Sequence, residues 1–343
     1  MTYCTEYRFK RLQSQLEEQI SRKAIICLQE ISIDWVGDLY VHFDTHNYTL
    51  LTALYGNKHN GNMGVGIAIP RSLYEIESVS IKGKYLKNIN RLDLNSFISF
   101  QILAVGDTKY KPKSEKKRFF ESIYYHWVLP FLKLLFSFRP ELSAWYEARQ
   151  QSNQVIAARL RCRLQPFNNL RFCVGNYHMP CKFTNIPLML IHTALLAQFM
   201  KKFANGLDYI LAGDFNSTPD SPMYELLTRG RVADAAHLPP PEFKGDYWEA
   251  KVAPLWSAYR ALLGKEPTYT NFAEKKGKDG APPLPPLALC LDYIFYSNRA
   301  WKVTGCKGLP RSTEGQRPGP NEAEMSDHLL IAASFAVPVP AVD

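Results

Sequence analysis

Between residues 6 and 23, Tyr7, Leu12, Leu16 and Ile20 recur at helical spacing among charges, a pattern that predicts an amphipathic helix. Short apolar runs follow that read as strands: "AIICLQE" (24–30), "GVGIAIP" (64–70) and "SFISFQILAVG" (96–106). "QVIAARLRCRL" (154–164) and "LRFCVGNYHM" (170–179) read as neighbours in one sheet. "IPLMLIHTALLAQFMKKFA" (186–204) predicts a helix with proline in its first turn. Beyond it come a strand "DYILAGDFN" (208–216) and a helix "SPMYELLTRG" closed by glycine. Two further strands are expected, "LALCLDYIFYS" (287–297) and "HLLIAASFAV" (328–337).

Two stretches break this rhythm. Residues 109–118, "KYKPKSEKKR", are strongly basic, and 119–138, "FFESIYYHWVLPFLKLLFSF", are nearly all apolar or aromatic. Together they mark an insertion over 107–150, read as a helical hairpin packed on the body. Membrane contact through 119–138 or a substrate lid are the alternatives. Glu121, His126 and Lys133 interrupt the run, which argues against a transmembrane span. The second break, "KKGKDGAPPLPPL" (275–287), reads as a proline-stiffened surface loop.

Composition adds two constraints. The 343 residues carry 41 Lys+Arg against 32 Asp+Glu, a net +9, which suits a polyanionic partner such as RNA, DNA or an anionic membrane face. Seven cysteines are scattered without a CxxC pair, so a disulfide or zinc-ribbon framework is not expected. The charged first twenty residues contain no apolar signal core, and with reduced cysteines this points to an intracellular protein, cytoplasmic or nuclear.

The chemistry concentrates where strands end. Glu30 follows "CLQ", Asn176 and His178 follow "CVG", Asp214 and Asn216 follow "LAG", Asp292 lies in "CLDYIF", and "SDH" (326–328) opens the last strand. Carboxylates, carboxamides and imidazoles gathered at strand ends suit a hard divalent cation held against a phosphate. Each has a plainer reading too: Glu30 as a turn cap, Asp214 and Asn216 as an Asx-turn, the histidines as satisfied structural groups.

In order, "LQE", "GNYH", "GDFN", "LDYIF" and "SDH" resemble the signature of the endonuclease/exonuclease/phosphatase superfamily, over roughly residues 6–337. "GDFNSTPDSPMYELLTRG", "SAYRALLGKEPTYTNF" and the approach "PNEAEMSDH" are similar to its deadenylase branch, which includes carbon catabolite repressor-type deadenylases, Angel proteins, nocturnin and 2′,5′-phosphodiesterase. The resemblance implies an α/β fold of the α+β kind, a DNase I-like four-layer αββα sandwich forming one domain over 1–343. It implies one or two Mg²⁺ ions, or Mn²⁺, held by a set drawn from Glu30, Asp214, Asn216 and His328. Asp214 would orient or deprotonate the attacking water, with Asn216 placing metal and phosphate. His328 would meet the scissile phosphate and Asp292 would fix its ring. His178 would add a second hydrogen bond to the phosphate with Asn176 nearby, and Asp327 would touch the metal or hold a loop. The expected activity is hydrolysis of RNA or oligoadenylate from the 3′ end.

Two departures from the family stand out. Its members open with a strand whose asparagine helps hold the metal, but here no asparagine precedes Asn47 and residues 1–23 read as a helix. A missing first strand would expose a sheet edge and weaken metal binding. The deadenylases also place a base-stacking aromatic five positions before the "DYIF" aspartate, where this chain has Leu287; stacking is worth about 1–3 kcal/mol. Tyr269 and Phe272 are candidate replacements. Alternative readings are a phosphodiesterase or phosphatase of the same fold acting on DNA, phosphoinositide or sphingomyelin, and a catalytically weak scaffold binding RNA or protein.

Overall fold

The computed structural model describes residues 5–55, 63–83, 140–239, 251–275, 284–321 and 324–338. The expected strand at 96–106, the basic run and the apolar stretch 119–138 lie outside them. Within the expected insertion, only a helix, α3 (Pro140–Gln150), is described beyond residue 139.

A six-stranded sheet forms the centre. Its order is β4 (Tyr74–Lys82), β5 (Val155–Cys162), β6 (Arg171–His178), β7 (Asp208–Asp214), β11 (Asp292–Tyr296) and β8 (Trp256–Ser257). The expected neighbours β5 and β6 pair antiparallel, while β6 and β7 run parallel. That parallel step needs a crossover, supplied by α4 (Ile186–Ala204). Asn185 Oδ1 accepts from Leu188 N at its start, and Asn205, in the left-handed region at φ 48°, closes it.

Alternation along β5 shows how the layers form. Val155 and Ala157 face α4 and α5 (Pro222–Arg229), packing with Met189, Met200 and Leu226. Ile156, Ala158 and Leu160 face the other way, onto Ala53, Val65 and Ile67 of a second sheet. That sheet has the order β1 (Ile26–Ile31), β3 (Gly64–Pro70), β2 (Tyr48–Leu54). Its far side buries Ile26, Leu50 and Ala68 against Leu16, Ile20, Leu39 and Phe43 of α1 (Thr5–Ser21) and α2 (Ile33–Thr45). Helices, sheet, sheet and helices therefore stack in four layers, as a DNase I-like fold does. Among the described residues β1 has one sheet neighbour, β3.

Several expectations need correction. The run 287–297 is not one strand. β10 (Leu284–Leu289) pairs with β9 (Asn271–Lys275), and the chain then turns at Cys290 and Leu291 into β11 of the central sheet. Thr270 Oγ1 accepts from both Leu291 N and Asp292 N, so a side chain takes the hydrogen bonds a continuous strand would give to a ladder. Residues 284–287 of the expected loop are consequently strand. The last strand, β13 (Ala333–Ala336), is shorter than 328–337 and pairs with β12 (Lys302–Cys306). α2, β2 and β4 had no counterpart among the expected elements.

Candidate active site

Strand register brings the centre of the site together. His178 on β6 lies opposite Asp214 on β7, and Asp292 on β11 lies opposite Asp214 from the other side. Residues directly opposite across paired strands point to the same face, so three polar groups converge at neighbouring strand ends. Gly213 precedes the aspartate at φ +145°, where a Cβ would lie 1.8 Å from the Tyr177 carbonyl oxygen. Only glycine fits so close to the neighbouring backbone.

Asp214 divides its two oxygens between structure and chemistry. Oδ1 accepts from Asn216 N at 2.8 Å, an Asx-turn that helps hold Asn216 at φ 46°. Oδ2 faces His178 Nε2 at 3.5 Å and His328 Nε2 at 3.8 Å. The Asn216 amide donates Nδ2 to Met179 O at 2.8 Å, leaving its carbonyl oxygen for another partner.

His328 reaches the site through an isolated bridge to Asn271. Its Nδ1 donates to Asp292 Oδ2 at 2.8 Å, and Thr270 Oγ1 donates to the same oxygen at 2.6 Å. Glu30 comes from the other sheet. A β-bulge between Leu28 and Ile31 and a φ of 55° bring it out of the ladder, with Oε1 4.0 Å from His178 Nε2. This carboxylate is exposed, whereas Asp214 is 6% exposed.

The electrostatics follow from that crowding. Burial pushes the Asp214 carboxyl up to about 8, and the charge of Asp292 pushes the same way against His328. Burial pulls the His328 imidazole down, but the Asp292 hydrogen bond and the charges of Asp292 and Asp214 override it and raise the ring to about 10. His178 is lowered, by burial first, with His328 adding to the effect.

Ligand atoms of Asp214, Asp292 and His328 lie within 4.8 Å of one another. Their donor chemistry fits a hard divalent cation: two buried carboxylates, whose crowded negative charge a cation would relieve, with Glu30 on the open side.

Two site expectations fail on geometry. Asn176 is fully buried and unavailable to substrate. Its Nδ2 donates to Leu28 O and Gly66 O, each at 2.8 Å, and its Oδ1 accepts from Gln29 Nε2 at 2.7 Å, so it pins the two sheets together. Tyr269 and Phe272 are buried against each other and present no free face to a base. Asp327 makes loop contacts: Oδ2 accepts from Asn271 Nδ2 at 3.2 Å and its carbonyl accepts from Phe272 N at 2.7 Å.

Sequence reasoning missed Thr270, Gln29 and Tyr55, whose hydroxyl lies 2.9 Å from His178 Nδ1. None has a distinctive local signal; their roles arise from partners remote in the chain.

Comparison with known proteins agrees with this geometry. The sequence pattern described as "Endonuclease/Exonuclease/phosphatase family" matches residues 7–328. Nocturnin of Drosophila melanogaster is 28% identical over 214 residues, 57% of this chain and 29% of that protein. The CCR4-Not complex 3′-5′-exoribonuclease subunit Ccr4 of Phaeosphaeria nodorum is 31% identical over 144 residues, 40% of this chain and 22% of that protein. The chain thus spans well under half the length of these relatives. Among solved structures, ANGEL2, a 2′,3′-cyclic phosphatase, superposes with a TM-score of 0.64 at 17% identity, covering 97% of this chain and 86% of ANGEL2. With motif order, strand register and fold all in agreement, the chain belongs to the endonuclease/exonuclease/phosphatase family, on the branch that holds nocturnin and Ccr4.

Proposed function

We propose that this chain is a divalent-cation-dependent phosphodiesterase that shortens RNA from its 3′ end, with Mg²⁺ or Mn²⁺ as the ion. The observation that carries this reading is the convergence of Asp214, Asp292, His178, His328 and Glu30 from separate strands and loops onto one mouth. The likeness to the fungal Ccr4, a 3′-5′-exoribonuclease subunit, supports an RNA substrate over the other phosphodiesters that this fold serves.

Glu30 and Asp214, with the Asn216 carbonyl, would hold the cation, which when bound supplies positive charge to the phosphate and favours ionised Asp214. Ionised Asp214 takes the proton of the attacking water through Oδ2. The water oxygen bonds to phosphorus, the bond to the leaving ribose oxygen breaks, and that oxygen takes a proton from solvent, while Asp214 later returns its own proton to solvent. His328, held charged by Asp292, donates from Nε2 to a phosphoryl oxygen as negative charge builds there. His178 donates a second hydrogen bond from the β6 side.

The test is an incubation of the protein with labelled A-tailed RNA, random RNA, single-stranded DNA and a phosphoinositide, each with Mg²⁺ or EDTA. Progressive 3′ shortening of RNA, absent with EDTA and in Asp214→Ala, is expected. Turnover of the lipid alone, or RNA binding without turnover at high Mg²⁺, would overturn the reading.

A further inference from the structure

Tyr55 directly follows β2 of the smaller sheet, and its half-buried ring packs against the core between the sheets. Packing alone does not account for its hydroxyl, which lies 2.9 Å from His178 Nδ1. Two arrangements satisfy that contact. The phenol donates and the imidazole carries its proton on Nε2, or the imidazole donates from Nδ1 and Nε2 is bare.

The far side of the ring separates them. His178 Nε2 faces Asp214 Oδ2 at 3.5 Å and Glu30 Oε1 at 4.0 Å. With Asp214 ionised, as a bound cation would favour, a lone pair aimed at two carboxylates is repelled, whereas an N–H aimed there is attracted. Asn153 Nδ2 donates to His178 O at 2.8 Å, holding the backbone of the residue that the Tyr55 phenol contacts. Burial, then the charges of Glu30 and Asp214, hold that phenol well above its usual range, so it keeps a proton to give.

We propose, resting on the phosphodiesterase reading above, that Tyr55 is a positioning residue that locks His178 in the Nε2–H tautomer and so points a proton at the substrate phosphate. The chain of donors runs from Tyr55 to His178 and ends at the mouth of the site. It mirrors the one on the opposite side, where Thr270 and Asp292 orient His328. The two imidazoles are set by opposite means. A carboxylate holds His328 by its Nδ1 proton, and a phenol holds His178 by its Nδ1 lone pair.

Tyr55→Phe keeps the packed ring and removes only the hydroxyl. The experiment is nitrogen-15 NMR of the histidine side chains in the full chain with Mg²⁺ present, with the His178 signals identified by their loss in His178→Gln. Wild type is expected to show His178 protonated on Nε2 and unprotonated on Nδ1, and Tyr55→Phe to show a mixture of tautomers. On A-tailed RNA, Tyr55→Phe is expected to lower kcat about tenfold with little change in KM. A wild-type His178 protonated on Nδ1, an unchanged tautomer in Tyr55→Phe, or an unchanged kcat in that variant would overturn the proposal. The spectra report on the tautomer whether or not RNA is turned over, so an inactive wild-type protein with the expected spectra would count against the phosphodiesterase reading alone.

Discussion

His328 Nδ1 lies 2.8 Å from Asp292 Oδ2, and that contact fixes which nitrogen of the ring faces Asp214. Its electrostatic consequence is measurable. Folding raises the His328 pKa from 6.5 to about 10, so the folded chain keeps a proton that the unfolded chain releases in that interval. Rising pH therefore favours unfolding there. The contribution is fully present below 6.5 and is lost as pH climbs through about 10. Thermal melting across this range should show a steeper loss for wild type than for His328→Gln.

Asp214 predicts coupling between protons and cation. Burial and Asp292 lift its carboxyl to about 8, so near neutrality the cation-free protein holds a proton there. Mg²⁺ or Mn²⁺ binding should release it, and affinity should rise with pH until about 8 and then level. Calorimetry in buffers of different ionisation enthalpy measures the released proton, which Asp214→Asn should abolish.

Thr270→Val tests the support behind Asp292. The hydroxyl donates to Asp292 and accepts from two backbone N–H groups. Its loss should cost roughly 1–3 kcal/mol in chemical denaturation. It should also lower kcat about tenfold as Asp292 loses its tether.

Asn176→Ala should act on stability. Removing the buried amide strips the carbonyls of Leu28 and Gly66 of a donor and Gln29 of an acceptor, costing roughly 1–3 kcal/mol. Denaturant midpoints should fall, while KM for RNA in the remaining folded protein should change little.

Phe183 is 65% exposed in the loop that leaves His178, and nearby Cys181 feels the charges of Asp214 and Glu30. With Tyr269 and Phe272 buried, Phe183 is the candidate for base stacking among the described residues. Phe183→Ala should raise KM for RNA about tenfold, in line with about 1–3 kcal/mol of stacking, with the melting temperature unchanged.

Much of this was readable along the chain where periodicity is local. The helix at 186–204 and the strand at 64–70 match their expected bounds, because proline, asparagine caps and apolar runs act within a few residues. The motif residues were legible because each ends a strand with a polar group that a core rejects. What was not legible depends on partners far away. Asn176 looks like a ligand until the carbonyls of Leu28 and Gly66, 148 and 110 residues distant, take its amide hydrogens. The break between β10 and β11 hinges on one threonine hydroxyl, which no apolar pattern reveals. β4 hides in "YEIESVSIK", which among the described residues has one sheet neighbour and whose partly exposed faces dilute the apolar signal.

Glu30 belongs to one sheet, while His178, Asp214 and Asp292 belong to the other. The width of the reaction mouth is thus the thickness of the sandwich at its rim. Bulkier side chains at interior positions such as Ile67 or Val174 would spread the jaws without touching a reacting atom. Slimmer ones would let them close, so the greasy filling of this protein acts as the gauge of its catalytic gap.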